Sequence, residues 1–129
     1  MAHPNEDLLR KGFDAFGRGD MDALRELFAD DVVWHFPGKG QLAGDYRGKE
    51  EVLGFLGKSF ELSGGTLRLE IHDVLANDEH VAVLSTLSAE RGGRSFRSNG
   101  VQVLHIVDGR AVESWLHPDD QYATDEFWS

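Results

Sequence analysis

The hydrophobic pattern of the chain changes period once, at Ser63-Gly64-Gly65, and that single change limits the folds open to it. Before it, apolar residues recur at helical spacing. Leu8, Leu9, Phe13 and Phe16 share a face between Asn5 and Gly17, with Asn5 as the N-cap ahead of Glu6 and Asp7. Gly17-Arg18-Gly19 breaks this helix. Asp20 then caps a second one, in which Met21, Leu24, Leu27 and Phe28 form one stripe, and Asp30-Asp31 ends it. A short β-rich run, Val32-Val33-Trp34-His35-Phe36, stops at Pro37. Gly38 to Gly48 form a glycine-rich loop holding Tyr46 and Arg47, and a third helix is expected over Lys49–Phe60.

After the break the period is two. Leu67, Leu69 and Ile71 alternate with Arg68, Glu70 and His72, and Asn77-Asp78-Glu79 turns the chain into Val81, Val83, Ser85, Leu87 and Ala89. Gly92-Gly93 turns it again into a long strand, Ser95–Val107. An Asp108-Gly109-Arg110 turn leads to Ala111–Leu116, which stops at His117-Pro118-Asp119-Asp120. Consecutive strands joined by short turns make an antiparallel meander. Helices segregated to one face of such a sheet make an α+β fold. The expected architecture is a cone: a curved antiparallel sheet wrapped around three N-terminal helices, open at one end.

A length of 129 residues suits one domain over 1–129. No apolar run approaches the roughly 18 residues of a membrane span, and Met1 to Asp7 lack the basic and apolar parts of a signal peptide. Without cysteine there is no disulfide, thiol nucleophile or thiolate metal site, and a cytoplasmic location is expected. The 23 acidic against 13 basic side chains leave a net charge of −10, which repels phosphate backbones. Neither nucleic acid nor a membrane is an expected partner, because the basic residues are scattered.

Side-chain chemistry collects at the end of the last hairpin. Asp119 can act as a general acid or base if Trp34 and Phe36 exclude water around it. Pro118-Asp119-Asp120 is equally an ordinary helix start, with either aspartate capping a short helix at Gln121–Phe127. Imidazole can shuttle a proton or bond a ligand carbonyl, which makes His105 and His117 candidates for either role. Strand parity sets Gln102, Leu104 and Ile106 on one face and His105 on the other, unless a bulge near Asn99-Gly100 reverses them. The aromatics Trp34, Phe36, Tyr46, Phe55 and Trp115 divide between core and pocket wall, with Trp34 and Tyr46 at the rim. Phe127 and Trp128 are expected to fold back as a lid or pack on the first helix. No metal site is expected: His117 and Asp119 can share a ligand set, but no histidines pair at i, i+2 or i, i+4. Nor is a cofactor, since Gly38-Lys39-Gly40 lacks the rest of a phosphate loop, and the Gly-x-Ser-x-Gly elbow of a serine hydrolase is missing too.

The order of elements, with particular words inside it, resembles the nuclear transport factor 2-like superfamily, and within it the SnoaL-like (polyketide cyclase) and ketosteroid isomerase-like proteins. The words are Phe28-Ala29-Asp30-Asp31-Val32-Val33-Trp34, Tyr46-Arg47-Gly48-Lys49-Glu50-Glu51-Val52, and Val107 through Trp115. In the steroid isomerases the resemblance aligns a first-helix tyrosine with Gly12, the catalytic base with Phe36 before Pro37, and a second oxyanion donor with Gln102. One amide stands where that mechanism needs three polar groups, so steroid isomerisation is not expected. The cyclases carry an aspartate four residues after the tryptophan of a Glu-x-Trp word; Glu113-Ser114-Trp115 puts Asp119 at that spacing. The family also implies a homodimer through the sheet, covering Val101, Val103 and Val112.

Three functions follow. One is an acid–base isomerase or cyclase acting on a hydrophobic carbonyl compound, with Asp119 moving the proton and Gln102 or His117 polarising the carbonyl. Another is a non-catalytic binder of a small hydrophobic ligand. The last is a dimeric adaptor.

Overall fold

Helix α1 (Pro4–Arg18) is capped by His3 and not by Asn5: the His3 ring Nδ1 accepts from the Asn5 N–H at 3.0 Å. Pro4 at the first helical position has no N–H to satisfy. Asn5 is thereby free to donate to the Asn77 and Asp78 carbonyls at 2.9 and 3.3 Å, tying α1 to the turn after β3 (Arg68–Ala76). Gly19 ends α1 with φ of 70°, a left-handed conformation that favours glycine. The computed structural model describes residues 3–129; Met1 and Ala2, the first residues of the stretch read against a signal peptide, lie outside them.

Asp20 caps α2 (Met21–Leu27) through the Ala23 N–H, as expected. The helix stops short of Phe28, which opens strand β1 (Phe28–Phe36) and is 1% exposed. The loop expected between Gly38 and Gly48 contains a second strand, β2 (Gly44–Arg47), paired antiparallel to β1 with Trp34 opposite Tyr46. Four mixed residues carry no period-two signal, so only pairing with β1 makes them a strand. Helix α3 (Lys49–Leu62) follows. Then come β3, β4 (His80–Arg91), β5 (Arg94–Val107), β6 (Arg110–Pro118) and α4 (Gln121–Phe127).

The six strands lie in the order β2-β1-β6-β5-β4-β3. β3 to β6 form the expected meander, but β1 runs parallel to β6, with Trp34 opposite Ser114. The long excursion through α3 and three hairpins separates those two strands and permits a parallel pairing. Irregularities at Ile71/Asp73, His105/Ile106 and Phe28/Val33 add local twist, and the sheet curves around the helices without closing. The α+β cone is therefore present. Its core is drawn from both layers, with Leu9, Phe28, Val32, Val52, Val81 and Leu104 at 1% exposure or less.

Candidate functional site

Between the inner sheet face and the helices lies a cavity of about 120 Å³. Alternation along the strands decides what borders it. β4 contributes Ser85 and Leu87, β5 contributes Ser98, Gly100, Gln102 and Leu104, and β6 contributes Leu116 and Pro118. Trp34, Phe36 and Phe55 form one wall, with Phe36 and Phe55 rings 5.3 Å apart. Gly12 borders it from α1; a Cβ there would meet Leu27 Cδ2 at 2.5 Å, so glycine lets α1 and α2 approach.

The C-terminal segment closes one side. Thr124 and Trp128 border the cavity, and Trp128 is 2% exposed. Phe127 stacks on Phe96 with ring centroids 4.7 Å apart. Arg91 donates to the Phe127 and Ser129 carbonyls at 3.0 and 2.8 Å, and the Gln41 N–H to the Trp128 carbonyl at 2.8 Å. Of the two arrangements expected for Phe127 and Trp128, the structure has the lid.

Of the nine residues that sequence singles out, Trp34, Phe36, Phe55 and Gln102 border the cavity. Tyr46 packs behind that wall, its ring 4.6 Å from Phe55 and its hydroxyl donating to the Leu42 carbonyl at 2.7 Å. Burial there pushes the Tyr46 hydroxyl pKa up. His105, Trp115 and His117 are on the opposite, outer face. β4 and β5 pair without interruption from Arg94 to His105, so no bulge near Asn99-Gly100 turns His105 inward. His105 stacks on His80 at 5.1 Å.

Asp119 is exposed and off the cavity wall, but its Oδ1 accepts from Ser98 Oγ at 3.0 Å. The helix cap is Asp120, whose Oδ1 accepts from the Ala123 N–H at 3.0 Å.

Sequence reasoning missed Ser85 and Ser98. Each is 8% exposed; Ser85 interrupts the otherwise apolar inner row of β4, and that interruption was a usable signal. It also missed His35, which the outer face holds between two carboxylates. His35 Nδ1 lies 2.7 Å from Asp45 Oδ1 and Nε2 lies 2.6 Å from Glu113 Oε2. The two partners, Asp45 first, raise the His35 pKa above its ordinary value. The ring stacks on Trp115 at 5.7 Å.

Residues 9–114 match the model of the SnoaL-like domain. The chain belongs to the SnoaL-like family. An uncharacterised protein of Mycobacterium tuberculosis is 36% identical to it over 124 residues, covering 95% of each chain. Among solved structures, Bal32a from a soil-derived mobile gene cassette superimposes with a TM-score of 0.94 at 35% identity, covering 98% of this chain and 97% of that one. A Xanthomonas campestris protein of unknown function with a cystatin-like fold gives 0.90 at 34% identity, with 97% and 98% covered. In this SnoaL-like chain, Gly12, Phe36 and Gln102 stand where the resemblance aligns the steroid isomerases' three polar groups. All three border the cavity, and only Gln102 can hydrogen-bond through its side chain.

Proposed function

We propose that this SnoaL-like protein binds one small, neutral, largely apolar molecule in the cavity beneath α4. The observation that carries this is the composition of the wall: no Asp, Glu, Lys, Arg or His borders the cavity. A charged ligand would be stripped of water with nothing to pair it, at large cost. The size points the same way. A cavity of about 120 Å³ is comparable to the roughly 150 Å³ engineered cavities that take up benzene. A single ring fits the closed form, and a polycyclic molecule requires the Trp128 lid to move. Titration with toluene, followed by amide NMR and thermal melting, tests this. Saturable shifts at Gln102 and Leu104 and a raised Tm are expected; no response up to toluene's solubility limit would refute it.

A catalytic role has one observation behind it, the hydrogen bond from Ser98 on the wall to Asp119 outside. Through it a carboxylate reaches the ligand by a single hydroxyl, in an arrangement suited to moving a proton. Turnover of a bound ketone that disappears in Asp119→Asn, with binding retained, would establish it. We further infer a homodimer through the outer sheet face, where Val33, Leu84, Val101, Val103 and Trp115 are only partly buried within one chain. Among the described residues no helix is long and apolar enough to cross a membrane. The lack of cysteine supports a cytoplasmic setting.

A further inference from the structure

The cavity floor has a polar niche that the apolar wall does not explain. Ser85 is more than nine-tenths buried, borders the cavity, and its hydroxyl has no hydrogen-bond partner among the described residues. Other buried hydroxyls on the wall are engaged: Ser59 donates to the Leu56 carbonyl at 2.6 Å and Thr124 to the Asp120 carbonyl at 2.9 Å. No fully buried side-chain N or O atom lacks a partner among the described residues, so the unpaired Ser85 oxygen is open to the cavity and can take a ligand partner there.

Register shows where that partner sits. Ser85 on β4 lies directly opposite Gly100 on β5, and Val83 lies opposite Gln102. Gln102 is therefore the diagonal neighbour of Ser85 on the same inner face, at the roughly 7–8 Å spacing of such pairs. Gly100 also borders the cavity, and a Cβ there would meet the His117 carbonyl oxygen at 3.3 Å, so glycine lets β6 approach β5 beside the two side chains. The span suits one ligand atom bridging two hydrogen bonds. Gln102 Nε2 donates to Ser114 Oγ at 2.8 Å, which leaves its Oε1 free to accept.

Resting on the binding function proposed above, we infer that the polar niche formed by Ser85 and Gln102 selects a ligand hydroxyl. The ligand oxygen accepts from the Ser85 hydroxyl and its own O–H donates to Gln102 Oε1. A ketone of the same size satisfies Ser85 and leaves Gln102 Oε1 unpaired. A carboxylate meets no cation at all. The ligand class is a monocyclic alcohol or phenol, held by its ring against Phe36 and Phe55.

The test is calorimetric titration of the full chain with toluene, cyclohexanol and cyclohexanone. Toluene reports on the cavity alone. Cyclohexanol is expected to bind about fivefold tighter than cyclohexanone, the worth of one neutral hydrogen bond. Ser85→Ala and Gln102→Leu should each lower the affinity for cyclohexanol relative to toluene about three- to tenfold. If toluene fails to bind, the cavity function itself falls. If toluene binds and cyclohexanone equals or exceeds cyclohexanol, or neither variant separates the alcohol from toluene, the niche is overturned. Toluene binding retained by both variants excludes misfolding as the cause of any loss.

Discussion

Ser98 Oγ donates to Asp119 Oδ1 at 3.0 Å, joining the cavity floor on β5 to the residue that follows β6. Backbone reinforces the link, the Asp119 N–H donating to the Asn99 carbonyl at 2.8 Å. Asp119 is thus held at the cavity mouth by a side chain that itself faces inward, while its neighbour Asp120 serves the helix.

That division makes the two aspartates separable. Asp120→Ala removes the cap of α4 and should cost about 1 kcal/mol of stability. Asp119→Asn can still accept from Ser98, and its effect should stay within about 0.5 kcal/mol. Urea denaturation of both variants checks this; an Asp119 variant as unstable as the Asp120 variant would contradict the assignment.

Trp128 closes the cavity and packs edge-on to Phe127 at 4.8 Å. Trp128→Ala should destabilise by about 3–5 kcal/mol, the usual loss for a buried aromatic. It should also enlarge the cavity enough to admit naphthalene, which wild type binds weakly or not at all. Melting curves and NMR titration read the two effects separately.

Arg91 holds the same lid through two carbonyls. Arg91→Ala should speed amide exchange at 121–128 while leaving β4 and β5 protected, because the lost contacts are confined to the lid. Uniform loss of protection would show that Arg91 supports the whole fold.

His35 bridges Asp45 on β2 and Glu113 on β6, and both carboxylates raise its folded pKa above the 6.5 of an unperturbed histidine. The sign follows from linkage. The folded state holds the proton more tightly than the unfolded chain, so the stabilisation is complete below pH 6.5 and is lost as pH rises through the elevated folded value. Wild type should therefore melt lower on raising the pH across that window. His35→Gln should show a smaller drop there. An identical pH dependence in the variant would remove His35 from the account.

Val103 lies opposite Trp115 on the outer face. Val103→Glu should convert a homodimer of twice 14.4 kDa into a monomer by burying an unpaired charge at the interface. Sedimentation velocity distinguishes the two, and a wild type that sediments as a monomer would end the dimer proposal.

Much of this architecture was legible because it rests on local patterning. The helical stripe of Leu24 and Leu27, the alternation from Leu67 to Ala89 and the hairpin turn at Asp108-Gly109 each report themselves within a few residues. The bounds of α4 were readable too, from Pro118-Asp119-Asp120. Strand β2 was hidden because its four residues become a strand only against β1. The identity of the α1 cap was hidden for a similar reason: Asn5 finds its partners 72 and 73 residues away.

The candidate site divides along the same line. Parity along β5 assigned Gln102 and His105 to opposite faces, since side chains on a strand must alternate. The sequence by itself determined the helices, the strands of the meander, their inner apolar rows and the family, all of which depend on short-range order. Tertiary structure alone decided that Ser85 borders the cavity without a hydrogen-bond partner among the described residues, that Ser98 reaches Asp119, that Trp128 walls one side of the cavity and that His35 sits between two carboxylates. Each of those depends on groups far apart in the chain meeting at hydrogen-bond or van der Waals distance, and no local pattern encodes such a meeting.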